Sequence, residues 1–132
     1  MGFITFISYS PLIENMDNVL HLIFGNHPKS GTIKSRAEII LRFLKSRVDW
    51  VALDDIEKEI NISRQDNPSM FYKPLSAMKK WRLVDSVRRA TGRTRQGNNT
   101  YTTYYKWTPE RFLVYLRDTL HAKCETELKM FK

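Results

Sequence analysis

The feature that most constrains the fold is a pair of strand-like runs, residues 83–90 and 101–107. Both are rich in Val, Tyr and Thr, and Thr91-Gly-Arg-Thr-Arg-Gln-Gly-Asn-Asn-Thr100 separates them. Glycine and asparagine turn a chain readily, so the segment predicts a β-hairpin with its loop over 91–100. Around this hairpin the apolar residues fall mostly at helical spacing. The fold class is therefore α+β, mostly α.

Residues 1–10 are apolar and short, a strand or a docking arm. Leu12, Ile13, Met16, Val19, Leu20 and Ile23 predict an amphipathic helix over 11–24, and the Gly25 to Gly31 segment reads as a loop. Ser35 and Glu38 have capping-box spacing, with Ile39, Ile40, Phe43 and Leu44 following, which predicts a helix over 35–47. Trp50-Val51-Ala52 reads as a short extended piece. Asp54 and Glu57 offer a second acidic cap, Ile56 and Ile60 share a face, and Asn61 is a stop signal. Asn67-Pro68 marks a helix entrance, after which Phe71, Leu75 and Met78 fall at i, i+4 and i+7. Pro74 conflicts with that helix, predicting a kink or a start near residue 74. Thr108-Pro-Glu110 opens a last helix with an apolar stripe of Phe112, Leu113, Leu116, Leu120, Cys124 and Leu128.

The 132 residues suit one hydrophobic core, too small for a two-domain enzyme cleft. One cysteine, Cys124, makes no internal disulfide, so a stapled secreted scaffold is excluded and the cytoplasm is the expected location, with nucleoid association if the source is prokaryotic. No apolar run is long enough to span a membrane. The opening residues lack the basic flank and the apolar length of a signal peptide.

The net charge is +8, and it is localised. Residues 29–50 carry +4, residues 51–78 carry −2, and residues 79–106 carry +7. This favours a polyanionic partner, nucleic acid before a membrane surface.

From Ser35 to about Leu120 the element order resembles the winged helix-turn-helix domain of transcription regulators. Leu53-Asp-Asp-Ile-Glu-Lys-Glu-Ile-Asn-Ile-Ser63 is similar to the first helix and turn of a helix-turn-helix. The run from Ser69 through Tyr72, Leu75 and Met78 to Leu83-Val84 is similar to a recognition helix entering a wing, closest to the PadR-like pattern. Tyr104-Tyr-Lys-Trp-Thr108-Pro-Glu110 resembles that family's return strand and threonine-capped helix. The chain departs from the pattern at Arg82, where such families usually carry glycine, in the added turn residues Arg64-Gln-Asp-Asn67, and at Pro74.

The resemblance implies an N-terminal arm and helix over 1–34, a winged-helix DNA-binding domain with a two-stranded wing over 35–108, and a C-terminal helix over 109–132. The two flanking segments extend beyond one winged-helix core, so a homodimer is expected, formed through them and reading a roughly palindromic site. On the recognition helix, Phe71, Leu75 and Met78 should face the core, leaving Ser69, Tyr72, Lys73, Ser76, Lys79 and Lys80 for the major groove. Arg93, Arg95, Gln96, Asn98 and Asn99 would track the backbone or enter a minor groove from the wing tip. Arg88 and Arg89 alternate on the strand, so one of them should face the same side as the helix. Tyr101, Tyr104, Tyr105 and Trp107 can stack on bases, but alternation favours packing on the helices. The expected function is sequence-specific duplex DNA binding. A winged-helix protein–protein adaptor, or RNA or replication-origin binding, would use the same charges.

Enzyme chemistry finds little support. Gly25 and Gly31-Thr32 lack phosphate-loop spacing and its lysine. His21, His27 and His121 lie far apart beside a single cysteine, so no zinc spacing exists. The acids at 54–59 read as a cap and a solvated face, and Cys124 as a small core or interface residue. No catalytic residue, metal or cofactor is expected.

Overall fold

The computed structural model describes residues 16–131. The expected arm over 1–10, and Leu12 and Ile13 of the first helix, lie outside the described residues. The chain then runs α1 (Asp17–Phe24), a 3-10 turn (Pro28–Ser30), α2 (Gly31–Arg47), β1 (Val51–Ala52), α3 (Leu53–Ile60), α4 (Pro68–Lys80), β2 (Val84–Arg93), β3 (Asn99–Trp107) and α5 (Pro109–Met130). The architecture is α+β and mostly helical, with one three-stranded antiparallel sheet in the order β1-β3-β2.

Helix α2 is the hub. Ala37, Ile40, Leu41 and Leu44 fall at i, i+3, i+4 and i+7, and all are buried. That stripe lets α2 pack on α1, α3, α4 and β3 together. It begins four residues before the expected capping box, at Gly31. The 3-10 turn already provides the entry: the His27 imidazole accepts from the Lys29 N–H, and the Ser30 hydroxyl donates to the His27 carbonyl at 2.7 Å. Ser35 and Glu38 therefore lie inside the helix. The Ser35 hydroxyl donates back to the Gly31 carbonyl at 3.0 Å, and Glu38 takes the Arg42 guanidinium at 2.9 Å.

The acidic cap expected on α3 is also corrected. Asp54 and Asp55 occupy the first turn, where the helix dipole favours them, but Ala52 is the N-cap residue. Glu57 turns the other way, accepting from the Arg64 N–H at 2.6 Å and pairing with the Arg64 Nε at 3.3 Å. Arg64 also reaches Asp54. The added turn residues thus clamp α3 to the chain entering α4. Asn61 ends α3 in the left-handed region at φ 56°, as the sequence predicts.

Helix α4 runs from Pro68 through Pro74 to Lys80, so the late start near residue 74 does not occur. Pro74 removes the bond to the Met70 carbonyl, yet its ring is buried beside Phe71, Leu75 and Met78. Proline completes the i, i+3, i+4, i+7 row, and its burial offsets the lost bond. The helix ends in a Schellman motif: Leu83 N–H donates to the Met78 carbonyl at 2.9 Å and Arg82 N–H to that of Lys79 at 3.0 Å. Arg82, at φ 67°, holds the left-handed position that glycine usually fills in such a motif.

Thr108 precedes α5 but makes no side-chain cap. Its hydroxyl donates instead to the Arg82 carbonyl at 3.0 Å, and its N–H to the Leu83 carbonyl at 3.0 Å, tying the end of β3 to the end of α4. Only the start of α5 is anchored: Phe112 is buried, Leu116 packs against the core, Tyr115 meets Trp81 edge-to-face, and Arg111 pairs with Asp85. Leu113, Leu120 and Leu128 of the expected stripe are exposed, as is Cys124, which is therefore not a core residue of the single chain.

Two substitutions test this account. Leu75→Ala opens a cavity at a site with 0% exposure and should cost about 2–5 kcal/mol, read from chemical denaturation. Val48 closes α2 at φ 67° with 78% of its surface exposed, a conformation that costs a β-branched residue about 1–2 kcal/mol. Val48→Gly should raise stability by about 0.5–1 kcal/mol in the same assay, because strain relief exceeds the entropy that glycine adds to the unfolded chain.

Candidate nucleic-acid interface

The buried row of α4 dictates what its other side shows. With Phe71, Pro74, Leu75 and Met78 inside, the polar residues Ser69, Tyr72, Lys73, Ser76, Lys79 and Lys80 are exposed, together with Pro68 and Met70 at the start of the helix. The six polar residues are those the sequence assigns to the recognition face. Tyr72 stands edge-on to Phe71 at 5.0 Å. Burial raises the Tyr105 pKa above the ordinary phenol value, and Tyr72 raises it further.

The hairpin is longer and better ordered by pairing than the ten-residue loop expected over 91–100. The ladder continues to Arg93 opposite Asn99, leaving only residues 94–98 as the turn. Thr94 organises that turn. Its N–H donates to the Asn98 carbonyl at 2.7 Å, its carbonyl accepts from Gly97, and its hydroxyl accepts from the Asn98 N–H. Gly97 supplies φ 85°. Arg95, Gln96 and Asn98 are exposed at this tip, and Arg93 and Asn99 form the last rung beneath it.

Register decides which arginines act together. Residues directly opposite across a ladder share a face. Val84, Ser86, Arg88 and Ala90 lie opposite Trp107, Tyr105, Thr103 and Tyr101, and this is the face whose Val84 and Tyr105 are buried in the core. Arg88 is therefore the arginine on the helical side of the sheet, with its guanidinium 4.5 Å from the Tyr101 ring centroid. Arg89 takes the opposite face, over Tyr104 and Trp50 at 5.7 Å each, where Lys106 flanks Trp50 at 5.8 Å.

A bulge between Ala90 and Gly92 leaves Thr91 unpaired with a backbone partner, although its hydroxyl meets that of Thr102 at 3.1 Å. In a regular strand, residues five apart face opposite ways. The extra residue cancels that alternation and sets Arg93 opposite Asn99, on the face shared by Arg88 and Tyr101. The aromatic residues divide by position along the hairpin and not by face alone. Tyr105 and Trp107 pack against the core, whereas Tyr101 and Tyr104 carry arginines.

The one acid within residues 79–106, Asp85, is held by Arg111 at 2.6 Å, so the basic stretch is not neutralised from within. Among the described residues no group of three His, Cys, Asp or Glu side chains is placed to hold a metal ion. His21 lies on α1, His27 caps the 3-10 turn and His121 is exposed on α5. The sequence assigns residues 29–36 no part in nucleic-acid binding, although their share of the +4 over 29–50 is visible; the fold brings Lys29, Thr32 and Arg36 beside Ser69 and Lys73. No helix of the described residues is long and apolar enough to cross a membrane. No protein-family model matches the chain, and no curated protein matches it.

Proposed function

We propose that the protein is a sequence-reading duplex DNA-binding protein of winged helix-turn-helix type, acting as a transcription regulator. In this reading α4 lies in the major groove and the hairpin is the wing. The observation that carries it is the sharp division of α4, with four apolar residues buried and Ser69, Tyr72, Lys73, Ser76, Lys79 and Lys80 exposed, beside a hairpin whose Arg88 and Arg93 share the helical side of the sheet. Serine and lysine reach base edges and phosphates, and tyrosine does both. Arginines on a projecting ladder reach the flanking backbone or a narrow minor groove. The element order α2-β1-α3-α4-β2-β3, with β1 on the outer side of β3, is compatible with the winged architecture.

The test is a duplex titration across salt concentrations. Each phosphate contact removed lowers the log–log salt slope by about 0.9, which is about eightfold in affinity at 0.1 M salt. Arg88→Ala and Arg93→Ala should each show a loss of that order, and Arg93→Ala with Arg95→Ala a larger one. Arg89→Ala, on the far face, should move the slope by less than half as much. Absence of duplex binding, or binding indifferent to salt and to these arginines, overturns the reading.

The protein is further proposed to be a homodimer through α5. That helix of 22 residues is about 33 Å long, and past Leu116 none of it belongs to the core. Leu120 and Leu128 are exposed along this free half, whereas α1 turns Leu20 into the chain's own core. A two-fold pair would present two copies of α4 to half-sites about one or two helical turns apart. Sedimentation at micromolar concentration should give twice 15.7 kDa. Leu120→Glu with Leu128→Glu should return the single-chain mass without changing the circular dichroism.

A further inference from the structure

A groove of about 260 Å³ lies where the start of α2 meets the start of α4. Lys29, Thr32, Ile33 and Arg36 line it from one side, and Ser69, Met70 and Lys73 from the other. It contains three cations, two hydroxyls and no carboxylate. Lys29, Arg36 and Lys73 make no ion pair among the described residues, whereas Arg64, Arg111 and Arg42 are all matched to acids. Three uncompensated positive charges facing one concavity repel one another, and an anion seated between them removes that repulsion. The hydroxyls of Thr32 and Ser69 supply neutral donors of the kind that hold phosphate oxygens.

We propose that this groove seats the sugar-phosphate backbone of the duplex whose bases α4 reads, so that the protein grips the DNA on both sides of that helix. The inference rests on the duplex-binding reading above. Ser69 and Lys73 belong both to the groove and to the exposed face of α4, so the two surfaces are continuous. The groove lies at the N-terminal end of α4, and the hairpin departs from its C-terminal end, about 16 Å away at 1.5 Å per residue. A major groove about 12 Å wide is bounded by one phosphate strand on each side. The groove serves one of these strands, and Arg88 and Arg93 serve the other. The positive charge at residues 29–36 thereby gains a role distinct from that of residues 79–106.

The test is the same titration on Lys29→Ala with Arg36→Ala, using a bound duplex and a scrambled duplex of equal length. The expected result is a slope lower by about 1 per side chain, and affinity reduced by about eightfold per contact at 0.1 M salt, equally on both duplexes. Lys29→Glu, at an exposed position outside every helix core, should weaken binding more than Lys29→Ala and leave the melting temperature unchanged. Hydroxyl-radical footprinting should show loss of protection on the strand away from the hairpin, while Arg93→Ala exposes the hairpin side. If the unsubstituted chain binds duplex and Arg93→Ala weakens it, yet the Lys29 and Arg36 variants match it in slope and footprint, the groove proposal is overturned and the duplex-binding reading stands. If the unsubstituted chain binds no duplex, both fall.

Discussion

The structure depends on one row of side chains, Phe71, Pro74, Leu75 and Met78, closed against α2 and the sheet. A helix buried along one stripe cannot rotate without exposing that stripe, so its outward residues are fixed by its inward ones. The Schellman turn at Arg82 and the hydroxyl of Thr108 then set where the chain leaves α4 and how β2 starts. The direction of the hairpin relative to α4 is thus determined by hydrogen bonds at a single corner. Arg82 stays in a left-handed conformation there because the motif requires it, and its guanidinium lies 5.1 Å from the Tyr115 ring centroid on α5. The residue that departs from the glycine pattern links the hairpin corner to the last helix.

Register provides the second constraint. Pairing with β1 fixes Tyr105 opposite Val51 and commits one face of the sheet to the core. Everything farther along the hairpin inherits that assignment until the bulge at Thr91. There a single unpaired residue resets the alternation and gathers Arg88, Arg93, Asn99 and Tyr101 on one side. Arg89, Tyr104, Trp50 and Lys106 form a separate layer of cations on aromatic rings behind them. Such contacts are worth about 0.5–1 kcal/mol each at exposed sites, so their main effect is to hold long side chains in place.

The parts of this arrangement legible in the sequence are those written in local periodicity. The spacing of Phe71, Leu75 and Met78 reveals both faces of α4, and Asn61 and Pro68 mark helix ends by backbone chemistry that is local. Pro74 misleads about where α4 starts, because a penalty for a lost hydrogen bond ignores the burial of the ring that causes it. Ser35 and Glu38 have the spacing of a capping box, but the same pair serves equally inside a helix when Arg42 stands four residues beyond Glu38. The face of Arg93 could not be read, because a bulge breaks the period of two on which such a reading relies. The groove at Lys29, Arg36 and Lys73 joins segments more than thirty residues apart, and only tertiary packing makes them neighbours.

Charge separation follows from the same packing. The acids of α3 are partly matched internally, since Arg64 takes Asp54 and Glu57 and is thereby removed from the free cations. Exposed pairs of this kind stabilise a fold by no more than about 1 kcal/mol. Their larger consequence is electrostatic: Asp55 and Glu59 remain exposed on α3, while the exposed side of α4 carries lysines without a carboxylate. A polyanion approaching the molecule meets attraction along α4, the hairpin and the groove, and repulsion along α3. This asymmetry orients an encounter before any specific contact forms, and salt weakens it as the Debye length shortens to about 10 Å at 0.1 M. The +8 of the chain therefore acts as a directed field, because one buried apolar row decides which charges face outward together.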